Sequence, residues 1–230
     1  MAKILFGVGI ADARNKLGGH VFSKNRNGAY VRQKVSPSQP RTPAQLAVRA
    51  SFGGFAAAWG SILTAAQRAA WIALASTNPV NDRFGNPQVL TGLQFYQRVN
   101  RNLFTIGVTR LDNAPGGTGV AGLTSVSAVA TGGAGTIALS FTPTPLSAST
   151  HLVVAMTPPI SPGKSFFTAF LKLIEKDTVG ALTSPQALGA KYVARYGAMV
   201  VGQQIGISAF TIDSATGAAS TPTGASTIIV

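Results

Sequence analysis

The chain has 230 residues, no cysteine, and two histidines, His20 and His151, far apart in sequence. Disulfides and thiolate metal sites are therefore excluded, and a histidine-built zinc centre is not expected. Charged residues make up 11% and hydrophobic residues 46%, against about 25% charged in a typical soluble protein, so a membrane or neighbouring subunits should cover much of the surface.

The residues argue against the membrane. The most helix-like uncharged stretch, 50–67, contains Gly53, Gly54, Gly60, Ser61 and Thr64. It lacks the Leu, Ile and Val density that roughly 20 spanning residues require. Residues 113–150 are rich in Gly, Ser, Thr and Pro and read as strands and turns. Lys3, the run 4–11 and Ala11-Asp12-Ala13 imitate a secretory signal but are shorter than one. The chain is expected to keep Met1. Assembly is the better account of the missing charge.

Charge divides the sequence. Residues 1–110 hold fourteen of the nineteen Lys and Arg with only Asp12 and Asp82 as acids, net +12. Residues 111–230 hold five bases (Lys164, Lys172, Lys176, Lys191, Arg195) against Asp112, Glu175, Asp177 and Asp213, net +1. Such asymmetry predicts two parts with different tasks.

In chain order, a basic arm comes first and holds a hairpin. Residues 20–24 are followed by Asn25-Arg26-Asn27-Gly28 and then 29–35. Asn-Gly predicts a type I′ turn, whose two central residues need positive φ. Alternation puts Tyr30, Arg32 and Lys34 on one face and Val31, Gln33 and Val35 on the other. Pro37 and Pro40 end the strand and open an extended linker.

Three helices are predicted next, from three Thr-x-x-Gln capping boxes at Thr42, Thr64 and Thr91. Pro43 at the first helical position strengthens the first. Val48, Phe52, Phe55, Trp59 and Ile62 fall on one helical face. Phe52, Phe55, Trp59 and Trp71 are the expected core of this module, with Leu74 on the second helix and Phe95, Val99 and Leu103 on the third. Gly53-Gly54 costs about 1 kcal/mol per glycine relative to alanine, which points to close approach of another backbone or a break in the helix. Residues 78–87, with Asp82, read as a loop or short hairpin.

From about Pro115, turn residues punctuate short β-branched runs at 124–130, 136–141, 151–156, 165–174, 204–212 and 227–230. That spacing predicts an all-β sandwich, immunoglobulin-like or fibronectin-III-like. Ser184-Pro185 is expected to start one inserted helix, 185–196.

Catalytic material is scarce. Six carboxylates, only Glu175 among them a glutamate, leave little for paired acid–base work. His20 has no nucleophile elbow to serve. Glu175 and Asp177 read as a solvated strand edge. Residues 132–135 read as a turn rather than a phosphate loop, and Gly7-Val8-Gly9 lacks a third glycine and βαβ context. No enzyme, cofactor or metal is expected.

The arm carries the sharper signal. Arg14, Lys16, Lys24, Arg26, Arg32, Lys34, Arg41 and Arg49 fall within thirty-six residues, with Phe22 and Tyr30 between them. Three readings stay open: contact with acidic patches on other protein subunits, phosphate and base contact with nucleic acid, or plain solvation. Dispersal of the charges among Gly, Val and Asn favours the first.

The N-terminal pattern resembles an uncharacterised family of small proteins encoded in bacterial and phage genomes. The resemblance rests on Lys16-Leu17-Gly18-Gly19, the hairpin Asn27-Gly28-Ala29-Tyr30-Val31-Arg32, and Pro40-Arg41-Thr42-Pro43-Ala44-Gln45. It continues through Arg49, Phe52, Trp59, Leu63-Thr64, Gln67-Arg68 and Trp71, covering residues 14–110. It implies a phage-like structural context rather than catalysis.

The expectation is an α+β chain in three parts: arm and hairpin 1–42, helical module 43–112, sandwich 113–230. Its function would be that of a non-enzymatic virion protein, a minor capsid, cement or decoration subunit, located in the virion. Its partners would be capsid subunits or copies of itself, with homo-oligomerisation expected, no membrane and no small-molecule substrate. The alternatives are a nucleic-acid-binding packaging protein and an extracellular fibre or surface-layer subunit.

Overall fold

The computed structural model describes residues 2–5, 7, 9–10, 12–26, 28–36, 41–81 and 84–230. Val8, Ala11, Asn27, Pro37, Pro40 and Asp82, which entered the sequence reading, lie outside the described residues. The chain is a mixed α+β protein and forms two compact units, Met1–Leu46 and Ala47–Val230.

The first unit is an antiparallel sheet of β1 (Ala2–Lys3), β2 (Asn15–Leu17), β3 (His20–Asn25) and β4 (Gly28–Gln33), in the order β1-β4-β3-β2. Gly28 corrects the expected turn. It pairs with Asn25 as the first residue of β4, at φ 108°, so its missing Cβ serves the strand entry rather than the turn centre.

The helices are α1 (Pro43–Ser61), α2 (Ala65–Thr77) and α3 (Gly92–Thr105), each beginning one residue after its predicted threonine. At Thr64 and Thr91 both halves of the capping box are made: the hydroxyl accepts the N–H of Gln67 or Gln94, and that glutamine's Oε1 accepts the threonine N–H. Two orphan amide donors are satisfied at each start. A short hairpin, β5 (Val80–Asn81) with β6 (Pro87–Gln88), separates α2 from α3.

Phe55, Trp71, Phe95, Tyr96, Val99 and Leu103 are buried together, with the Trp71 and Tyr96 rings edge-on at 5.3 Å. Phe52 is not in this core. It is 42% exposed, and along the apolar stripe of α1 full burial begins at Phe55. Gly53 and Gly54 also depart from expectation: α1 runs unbroken through them, and a Cβ on either would meet nothing within 4 Å.

The segment after α3 is fastened by its own polar groups. Buried Asn100 donates to the carbonyls of Tyr96 and Leu111 and accepts the Leu111 N–H at 2.7 Å. Trp71 Nε1 donates to the Asp112 carbonyl at 2.9 Å, and Arg110 grips the Asp112 carboxylate with two nitrogens. The hydrogen bond from Arg110 lowers the Asp112 carboxyl below its ordinary value. Burial pushes the Tyr96 phenol up to about 12, with the Asp112 charge and hydrogen bond adding to the rise.

The remaining strands form two facing antiparallel sheets. The larger has the order β10-β9-β12-β13, from β9 (Thr150–Met156), β10 (Lys172–Lys176), β12 (Gln204–Asp213) and β13 (Thr223–Ile228). The smaller has the order β11-β8-β7, from β7 (Ser125–Thr131), β8 (Thr136–Thr142) and β11 (Gln186–Ala187). Ile137, Leu139 and Phe141 of β8 alternate inward against Leu152, Val154 and Met156 of β9 and Ile205, Ile207 and Ala209 of β12. β9 is buried on both faces because Val153, like Ile212 of β12, packs into the helical core. At the C-terminus, Val230 exchanges hydrogen bonds with Ala130 and Gly132, which ties the edges of the two sheets.

Three local expectations are corrected. Residues 165–171 are not a strand: β10 starts at Lys172, after a 3-10 turn at Thr168–Phe170. The Phe167 ring lies over Gly206 of β12, where a Cβ would overlap it, so this segment crosses the sheet instead of joining it. The inserted helix, α4 (Gly189–Tyr196), starts four residues late, because Gln186 and Ala187 pair with Leu139 and Ala138 as β11. Asp177 is buried rather than solvated. It follows the last residue of β10, its N–H donates to the Leu152 carbonyl, and its carboxylate accepts the N–H groups of Val179 and Gly180, with His151 Nδ1 at 3.8 Å.

Candidate partner-binding site

The first unit has no core among its described residues: every one is exposed or half-buried. Leu17 is 72% exposed. A four-stranded sheet normally buries at least one face, so the sorting of its side chains matters.

Residues directly opposite in an antiparallel pair share a face. Lys16 pairs with Val21 and Val21 with Arg32, while Ser23 pairs with Tyr30 and Tyr30 with Lys3. One face thus carries Lys3, Lys16 and Arg32 around Tyr30. On the other face, Asn15 pairs with Phe22 and Phe22 with Val31, Leu17 with His20 and His20 with Gln33, and Lys24 with Ala29. That face is apolar over Leu17, Phe22, Ala29 and Val31, with His20 at one end and Lys24 at the other. The two faces differ: one gathers Lys3, Lys16 and Arg32 around Tyr30 with Val21 and Ser23, the other gathers Leu17, Phe22, Ala29 and Val31 with Asn15, His20, Lys24 and Gln33.

The nine arm residues singled out from sequence are not one cluster. Lys16, Tyr30 and Arg32 share the cationic face, Lys24 takes the opposite face, and Arg26 lies beyond the end of β3. Arg14 precedes β2 and is paired with Asp12 at 3.1 Å. Lys34 follows β4 and is tied by its N–H to the Gly19 carbonyl. Arg41 precedes α1 at φ 51°, and Arg49 lies on α1, exposed. Asp12 is the sole acid among residues 1–46 and is already engaged, so the cations of the sheet have no carboxylate of their own unit to meet.

The grouping of Lys3, Leu17 and Phe22 on particular faces was not legible in the sequence. Lys3 joins the cationic face only because β1 pairs with β4, a long-range pairing. Phe22 and Leu17 join Val31 because β2, β3 and β4 align in that register. Alternation within each strand was the available signal, but it does not say which strands pair.

No group of three His, Cys, Asp or Glu side chains that could hold a metal occurs among the described residues, and none of their helices is long and apolar enough to cross a membrane.

No family model and no curated protein matches the chain. Among solved structures it is similar to a Fn3-like protein from Clostridium thermocellum, at 15% identity over 51% of this chain and 94% of that one, with a TM-score of 0.30.

Proposed function

We propose that this chain is a non-enzymatic structural subunit of a virion, a minor capsid, cement or decoration protein anchored through its N-terminal unit. Its C-terminal sheets would form an immunoglobulin- or fibronectin-III-like sandwich. The observation that carries the reading is the two-faced sheet of residues 2–33, which buries none of its described side chains. The apolar face would pack on a neighbouring subunit, while Lys3, Lys16 and Arg32 would meet acidic surface. Copies of the chain assemble with one another or with capsid subunits.

A magnitude supports a many-contact lattice over a simple dimer. At about 4.8 Å between strands and about 3.4 Å per residue, each face covers on the order of 300 Å². A standard interface buries about 800 Å² per partner. The arm is therefore one contact among several, as in a shell.

The cationic face with Tyr30 at its centre favours nucleic acid as the second reading. Three cations would give a slope of log K against log salt of about −3 on duplex DNA. The discriminating experiment is light scattering of the purified, nucleic-acid-free chain at low and high salt. A discrete oligomer or growing assembly that persists at high salt supports a structural subunit held by apolar and strand contacts. A monomer at every salt and protein concentration, with DNA affinity falling at that slope, overturns it in favour of packaging.

A further inference from the structure

The geometry points to a second recognition site, independent of the arm: an open cleft between β10 and α4 that takes an acidic, partly apolar polypeptide segment. Lys172 of β10 and Lys191 and Arg195 of α4 line this cleft of ≈ 560 Å³, together with Leu173, Ile174, Ala194 and Tyr196. Lys191 and Arg195 stand four residues apart and so project from one side of the helix. Lys172 is distant from both in sequence, and the packing of α4 beside the edge strand brings it to them.

Their charge is not neutralised internally. Glu175 is bonded to Lys191, which accounts for one cation. The other described acids of the C-terminal half are engaged elsewhere. Asp112 is held by Arg110, Asp177 by the Val179 and Gly180 amides, and Asp213 by the Ala215 and Thr216 amides. Lys172 and Arg195 therefore have no carboxylate partner among the described residues, and the cleft carries net +2.

The rest of the lining specifies what kind of anion fits. Leu173 is exposed, and Ile174, Ala194 and the Tyr196 ring supply apolar surface. Tyr196 donates its hydroxyl to the Met156 carbonyl at 2.8 Å, which fixes the ring in the wall. β10 is an edge strand, with its outward backbone groups unpaired by the sheet. A polypeptide of alternating acidic and apolar residues matches all of this: carboxylates to Lys172 and Arg195, apolar side chains to Leu173 and its neighbours. A phosphodiester chain fits less well, because Leu173, Ile174 and Ala194 offer its sugar–phosphate backbone no partner, whereas the apolar side chains of a peptide can cover them.

The test uses the full-length chain carrying Lys16→Glu and Arg32→Glu, so that the arm does not compete. Fluorescence anisotropy measures binding of a labelled peptide of alternating Glu and Leu, with oligothymidine as competitor. Adding Lys172→Glu and Arg195→Glu should weaken the peptide ten- to a hundredfold, as expected for losing two charge-assisted contacts. Lys172→Gln with Arg195→Gln should give an intermediate loss, which covers the case in which charge reversal disturbs folding. Oligothymidine should displace the peptide only weakly. Peptide affinity unchanged in both cleft variants, or oligothymidine displacing the peptide at lower concentration than the peptide itself, overturns the proposal. Either result leaves the arm reading untouched.

Discussion

Replacing Phe22 with alanine separates a binding surface from a hidden core. Phe22 sits at the centre of the apolar face, between Asn15 and Val31, and is half-buried. A phenylalanine in a contact buries about 150–250 Å², so a partner would cover on the order of 100 Å² more. At about 25 cal/mol per Å² that contributes about 2.5 kcal/mol, or roughly seventyfold in Kd. The assay is association measured by light scattering across protein concentration, beside thermal unfolding followed by circular dichroism. The expected result is weaker association by one to two orders of magnitude with an unfolding midpoint within about 2 °C of the parent. Unchanged association, or a midpoint lowered by several degrees, refutes the reasoning, since the first denies a contact and the second makes Phe22 a core residue.

Asn100→Ala should destabilise the second unit by about 2–4 kcal/mol, because the Leu111 N–H and C=O lose their partner in a largely enclosed place; the shift of the urea midpoint checks it. Raising the pH should cost stability from about pH 10 upward: the unfolded chain releases the Tyr96 proton near 10, whereas the folded chain holds it to about 12. Tyr192, also raised by burial, adds to the loss, and urea midpoints taken between pH 9 and 12 should fall monotonically. At the acid end the sign reverses. Asp112 is lowered in the fold by its hydrogen bond to Arg110, so its contribution is present above the ordinary carboxyl value of about 4 and lost as pH falls through the folded value. Asp112→Asn should flatten that part of the profile, and the effect should be small because the pair is partly exposed.

What the sequence disclosed was mostly local chemistry. Three Thr-x-x-Gln boxes located three helix starts, because a capping box is read within four residues. Ile137, Leu139 and Phe141 declared an inward face by simple alternation. Non-local packing was less accessible. The 165–174 run looks like a strand until Phe167 is seen to cross Gly206, and the residues before Gly189 look helical until Gln186 and Ala187 pair with β8. Phe52 shares the stripe of Phe55, but periodicity cannot say where along a helix the packing begins. Among the arm residues, composition revealed an excess of cations. Only the register of β1 to β4 shows that Lys3, Lys16 and Arg32 lie opposite a face of Leu17, Phe22 and Val31. Of the Lys172, Lys191 and Arg195 cleft, only the four-residue spacing of Lys191 and Arg195 on a predicted helix was legible, because Lys172 joins them through topology alone.

The central claim is that the N-terminal sheet is completed by other subunits, and amide hydrogen exchange at several protein concentrations tests it most directly. The account predicts rapid exchange across Phe22–Ser23 and Tyr30–Arg32 in the dilute chain, slowing as concentration or assembly rises, while Leu152 and Ile207 exchange slowly throughout. Protection of the N-terminal strands at the level of Leu152 in the most dilute sample would contradict it.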